Sequence, residues 1–126
     1  MSDNLKKVVI IEDDELITEM YKASLAQAKL SIEMYKDGES GLAAIQQNPP
    51  DLVILDFMMP KLNGVEVLKK MRADEKLKNI PAILMSSLSD AADKQRALDA
   101  GATAYWQKNE VNMVEFETKI NELLSH

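Results

Sequence analysis

The chain has no cysteine and only one histidine, His126. Without thiols there is no disulfide framework and no thiolate metal site. No apolar run approaches the roughly 18 residues of a membrane span, and there is no internal repeat or low-complexity tract. The start, Met1-Ser2-Asp3-Asn4, lacks the basic and apolar regions of a secretory signal, so the cytoplasm is the expected location. Basic residues are the minority: 15 Lys and Arg against 21 Asp and Glu leave a net charge of −6. That balance gives no electrostatic support to nonspecific binding of nucleic acid or an anionic membrane, so neither is expected as a partner and a protein is. A length of 126 residues predicts a single domain, 1–126, able to bury roughly two-thirds of its unfolded surface.

What the chain does have is two short β-rich apolar runs that end in acids. Val8-Val9-Ile10-Ile11 is closed by Glu12 and Asp13, and Leu52-Val53-Ile54-Leu55 by Asp56. Such runs read as buried parallel strands. In an open α/β sheet, ligands lie outside the carboxyl ends of the strands, so three carboxylates are predicted to converge on one rim. Like charges held together repel, and a hard cation among the oxygens relieves them. A few carboxylates plus water is how Mg²⁺ is held.

The rest of the chain alternates. Glu15 to Leu30 has apolar residues at helical spacing (Leu16, Ile17, Met20, Tyr21, Leu25, Ala28), and Ser31 to Tyr35 is a short strand. Asp37 to Ser40 is a turn ending in a candidate N-cap, and Gly41 to Gln47 is a helix stopped by Asn48-Pro49-Pro50. After the Leu52 strand, Pro60 to Gly64 is a loop, and Val65, Val67, Leu68 and Met71 mark a third helix. Pro81 announces a strand from Ala82 to Ser86. Ser89 or Asp90 caps a fourth helix that ends at Gly101, Ala104 to Gln107 is the last strand, and Asn112 to Glu115 has capping-box spacing before the last helix. Five βα units with right-handed crossovers predict a doubly wound parallel sheet.

These residues resemble a response-regulator receiver domain of two-component signalling, the stand-alone chemotaxis kind, from Lys7 to Leu124. The matching motifs are Glu12-Asp13 after the first strand, Asp56-Phe57-Met58-Met59-Pro60 after the third, Ser86-Ser87 after the fourth, and Tyr105 three residues before Lys108 after the fifth. The resemblance implies a flavodoxin-like five-stranded sheet of order 2-1-3-4-5 with helices on both faces. It implies that Asp56 is the phosphoacceptor and that Glu12, Asp13, Asp56 and the Met58 carbonyl surround Mg²⁺, one acid through water. Lys108 and the Ser86 hydroxyl would contact phosphoryl oxygens, and no carboxylate other than Asp56 is expected within reach of both Lys108 and the metal. Ser86 and Tyr105 would form the switch, altering a partner-binding face made of the fourth helix, fifth strand and fifth helix. Met58 and Leu88 would flank the water that hydrolyses the phosphoryl group and, being apolar, prolong its life. Ile17 would help dock the phosphodonor, a histidine kinase or histidine phosphotransfer protein, because His126 is no candidate phosphohistidine.

Each role has a plainer reading. Acids at strand ends are common helix caps, Lys108 by itself is a surface charge, Ser86-Ser87 reads as a turn, and Met58 and Met59 read as core filler. Ile17, Met20 and Tyr105 read as packing residues, and Lys69, Lys70, Arg72, Lys76 and Lys78 as a solvated face. Trp106 should lie on the opposite side of its strand from Tyr105. The sequence departs from the family in three ways. Lys108 precedes Asn109 rather than proline, so a trans peptide is expected; Glu12 replaces the commoner Asp; and Ser86 replaces the commoner Thr, losing a methyl that restricts rotamers. The resemblance implies a switch with no catalysis beyond its own phosphorylation and slow dephosphorylation. The alternatives are a degenerate receiver acting as a scaffold, which the Lys108-Asn109 step keeps open, and a Mg²⁺-dependent aspartyl-phosphate hydrolase, which would want a second acid two residues after Asp56.

Overall fold

The computed structural model describes residues 5–59, 61–86, 91–108 and 112–125. Strands and helices alternate in the order β1 (Lys6–Ile11), α1 (Glu15–Ser24), β2 (Leu30–Tyr35), α2 (Gly38–Gln47), β3 (Leu52–Asp56), α3 (Gly64–Arg72), β4 (Ala82–Ser86), α4 (Ala91–Asp99), β5 (Ala104–Gln107) and α5 (Met113–Leu124). All strand pairs are parallel, and the sheet order is β2-β1-β3-β4-β5. This is the flavodoxin-like arrangement that the resemblance implied.

Successive strand side chains point to opposite faces, so each apolar run feeds two cores. Val9, Ile11, Val53, Leu55 and Leu84 pack under α2, α3 and α4, against Leu42, Ile45, Leu68, Met71 and Ala97. Val8, Ile10, Ile54, Ile83 and Met85 pack under α1 and α5, against Tyr21, Leu25, Phe116 and Ile120. Tyr105 belongs to the first face and Trp106 to the second, as alternation required. No helix among the described residues is long and apolar enough to cross a membrane.

Four local expectations are corrected. The first helix does not run to Leu30. It ends at Ser24, where Leu25 turns out of helical geometry (ψ 7°) and Ala28 N–H closes a tight turn on Leu25 O. Leu30 is claimed by the sheet, paired with Lys6. The second helix starts at Gly38, not Gly41, because Asp37 rather than Ser40 is the N-cap and accepts from the Ser40 N–H at 2.8 Å. Asn63, which had read as part of a loop, caps α3 in a capping box with Glu66, while at the last helix Asn112 accepts from Glu115 N–H as its spacing predicted. Arg72 is not part of a solvated face, since its guanidinium donates to the carbonyls of Gly101, Lys78 and Ile80 at 2.9, 3.1 and 2.8 Å. It therefore ties the end of α3 to the segments entering β4 and β5. The Ser89 and Asp90 caps, and the Lys108–Asn109 peptide, lie outside the described residues.

Candidate phosphorylation site

Parallel pairing brings the carboxyl ends of β1, β3, β4 and β5 to one rim, and register sets their heights. Ile11 is level with Leu55, so the next residues, Glu12 and Asp56, stand side by side. Asp56 pairs with Met85, which places Ser86 one step beyond it, and Ser86 pairs with Gln107, which places Lys108 one step beyond that. Backbone bonds continue the ladder past the strand ends. Glu12 N–H donates to Tyr35 O at 2.9 Å, Phe57 N–H to Met85 O at 2.8 Å and Lys108 N–H to Ser86 O at 2.8 Å. The side chains thus start from well-anchored backbone.

The Lys108 ammonium bridges two acids, 2.9 Å from Glu12 Oε1 and 3.1 Å from Asp56 Oδ1. The expectation that only Asp56 would be in reach of both Lys108 and the metal position is therefore wrong: Glu12 has one methylene more than the usual Asp and extends to the cation. Its other oxygen accepts from the Asp14 N–H at 3.2 Å. Asp14, which the sequence reading passed over, caps α1 through Leu16 and Ile17 N–H groups and also lines the cleft. An Asp just before a helical apolar pattern is an N-cap signal that could have found it.

Glu12, Asp56 and Ser86 are buried, whereas Asp13 is exposed. The three acids can each offer an oxygen with all three within 4.8 Å of one another. Hard oxygen donors in that number, completed by water, suit Mg²⁺. Burial, reinforced by the Glu12 charge and opposed by Lys108, pushes the Asp56 carboxyl up to about 7. Such a carboxyl gains from a nearby cation, so the residues present fit the metal. Burial pulls Lys108 down, but its hydrogen bond to Glu12 and the charges of Asp56 and Glu12 outweigh that and leave it raised. It is a cation throughout the neutral range.

The open cleft over these residues measures about 370 Å³ and is also lined by Ile17 and Met58. Met58 is 62% exposed, so it is a rim residue and not core filler, while Met59 does pack on the core. Leu88 lies outside the described residues. Two further contacts surround Asp56. A Cβ on Gly64 would stand 2.5 Å from Asp56 O, so only glycine lets α3 approach the Asp56 backbone. The Phe57 ring meets Tyr105 edge to face at 6.4 Å and carries the Arg96 guanidinium over it at 5.4 Å. Sequence reasoning found Tyr105 but neither the Phe57 ring nor Arg96, because nothing local marks a contact between residues this far apart.

The sequence family described as the response regulator receiver domain matches residues 8–121. The DNA-binding dual master transcriptional regulator RpaA of Synechocystis is 34% identical over 104 residues, 82% of this chain and 43% of that protein. A CheY-like receiver domain protein of Methanospirillum hungatei superposes with a TM-score of 0.87 at 28% identity, covering 97% of this chain and 95% of that one. The phosphorylated cyanobacterial phytochrome response regulator RcpA superposes with a TM-score of 0.81 at 26% identity, covering 94% and 91%. The chain spans half or less of the length of the first curated relatives it matches.

Proposed function

The chain belongs to the response-regulator receiver domain family, and from that premise we propose that residues 1–126 act as one phosphorylation-controlled switch whose phosphoacceptor is Asp56. The observation that carries this reading is the placement of the Lys108 ammonium between two buried carboxylates from different strands. The donor is a histidine kinase or histidine phosphotransfer protein. An Asp56 oxygen attacks phosphorus, the bond to the donor breaks, and the leaving group takes its electron pair. Lys108, already in contact with Asp56, turns to a phosphoryl oxygen, and the Ser86 hydroxyl donates to another. These residues align and neutralise, which is most of what phosphoryl transfer requires. Glu12, Asp13, Asp56 and the Met58 carbonyl would hold Mg²⁺, one acid through water. Bound there, Mg²⁺ would supply charge neutralisation to the transferring group.

Ser86 and Tyr105 pass the change to the face made by α4, β5 and α5, where a protein target binds. The net charge of −6 favours protein over nucleic acid as what this face contacts; the DNA binding in the Synechocystis relative's name belongs to a longer protein. Ile17, half-buried at the start of α1 beside the cleft, helps dock the donor. The reading assigns the chain to the cytoplasm and gives it no catalysis beyond its own phosphorylation and slow dephosphorylation.

Incubation with acetyl phosphate and Mg²⁺, followed by intact mass, tests the proposal. One phosphoryl adduct that Asp56→Asn abolishes is the expected result. Steady phosphate release would favour a hydrolase, and an unchanged mass a scaffold. Docking is tested separately: Ile17→Ala should slow transfer from a kinase and leave the acetyl phosphate rate alone.

A further inference from the structure

A second, smaller space adjoins the acid cleft. It measures about 160 Å³, is lined by Ile17, Met20, Tyr21, Met85 and Lys108, and shares Ile17 and Lys108 with the cleft. Its chemistry is the opposite of its neighbour's, since among the described residues its lining has no carboxylate and Lys108 is its single charge. The floor is rigid: Tyr21 and Met85 are buried, the Tyr21 ring stacks on Phe116 at 4.8 Å, and its hydroxyl donates to Met85 Sδ at 3.4 Å. That last contact leaves an aromatic face and a thioether as the wall, with no polar group needing a partner. The lip is adaptable, because Met20 is 45% exposed and an unbranched thioether follows the shape of what it meets.

Size and junction together select an occupant. An apolar cavity of about 150 Å³ takes a benzene ring, whereas a helix face from a protein needs a far longer trough. Lys108 supplies positive charge where the groove meets the cleft, which suits an anionic group joined to a ring. We propose that this groove is the acyl-side subsite of the phosphorylation cleft, and that the chain uses aromatic acyl phosphates as small phosphodonors in preference to acetyl phosphate. The inference rests on Asp56 being the phosphoacceptor. In the step, an Asp56 oxygen forms a bond to phosphorus, the bond from phosphorus to the bridging oxygen breaks, and that oxygen leaves with the electron pair as an aromatic carboxylate. No proton moves and no other reactant is needed. One bridging oxygen and one carbonyl carbon separate ring from phosphorus, so the ring of such a donor stays close to a phosphoryl group held at Lys108, the residue that groove and cleft share. The methyl of acetyl phosphate leaves that space mostly unfilled and gains little from it.

The test compares second-order rate constants for adduct formation with benzoyl phosphate and acetyl phosphate, in saturating Mg²⁺, for the wild-type chain, Met20→Asp and Met20→Gln. Position 20 is at the surface, so the fold tolerates both changes, and Gln controls for the charge that Asp adds. The benzoyl-to-acetyl ratio in each variant reports the intrinsic difference between the leaving groups. In the wild-type chain that ratio should be about tenfold higher, equivalent to roughly 1.4 kcal/mol in the barrier. The same ratio in all three proteins overturns the groove while leaving Asp56 phosphorylation standing. Failure of both donors to label Asp56 overturns the phosphorylation reading and this inference with it.

Discussion

Glu12 Oε1 lies 2.9 Å from the Lys108 ammonium nitrogen, nearer than Asp56 Oδ1 at 3.1 Å. The side chains of Glu12, Asp56 and Lys108 are only 2%, 8% and 17% exposed, so this is a buried triad and not a surface ion pair. Removing one member of such a group costs more than its net contribution, because it strands the remaining charge. Lys108→Met should destabilise the chelator-treated protein by about 3 kcal/mol. Mg²⁺ should recover much of that loss, since a ligand that binds only the folded state stabilises it, and the variant should bind Mg²⁺ more tightly than the wild type. Urea denaturation in EDTA and in Mg²⁺ checks this, and an unaltered midpoint in EDTA would show that the triad is not a unit.

The raised Asp56 carboxyl makes the stability of the metal-free protein depend on pH. Its folded-state value is about 7 against an unfolded value of 3.8, so the folded state binds the proton more tightly. The contribution is complete below the unfolded value and is lost as pH rises through about 7. In EDTA the melting temperature should therefore fall between about pH 4 and pH 7 by an amount absent in Asp56→Asn. Saturating Mg²⁺, which competes with the proton, should flatten the slope. Melts that decline equally in both proteins would place the titrating group elsewhere.

Tyr105 should report phosphorylation through its contact with Phe57. The two rings meet at 89° with centroids 6.4 Å apart, a geometry worth about 1 kcal/mol beyond burial, so inward movement of Tyr105 must exchange this contact for another. Trp106, on the opposite face against Phe116 and Lys119, should stay packed and serves as a fluorescence reference. A crystal structure with a beryllium fluoride mimic showing the Tyr105 rotamer unchanged would rule out this coupling.

The phosphorylated state should be long-lived. The exposed Met58 thioether at the cleft rim neither orients nor deprotonates a water, and Leu88 is equally apolar. Met58→Asn combined with Leu88→Glu should accelerate loss of the phosphoryl group by about tenfold if polar assistance is worth roughly 1.4 kcal/mol. Decay of the double variant at the wild-type rate, followed by intact mass after removal of the donor, would locate control of the lifetime elsewhere.

The strands and the position of the acids were legible in the chain because both depend on local pattern. A four-residue apolar run is long enough for a buried parallel strand, and an acid directly after it must emerge at the strand's carboxyl end, so Glu12, Asp13 and Asp56 could be placed on one rim before any pairing was known. The β5 limits, Ala104–Gln107, and the opposed faces of Tyr105 and Trp106 followed in the same way from period-two alternation. The strand order was implied by family resemblance alone, since alternation permits several orders. What tertiary structure decided were the contacts between residues far apart in sequence. The sheet's register sets the spacing of Glu12 and Lys108, 96 residues apart, and one extra methylene then makes the pair. Arg72 read as a surface charge until chain segments converged to offer it four carbonyls. The first helix stopped short because the chain has to turn between Leu25 and Lys29 to bring Leu30 beside Lys6 in the sheet. Local propensity sets which elements can form, and the competition among distant partners for the same backbone and the same charge sets where each ends and what each side chain meets.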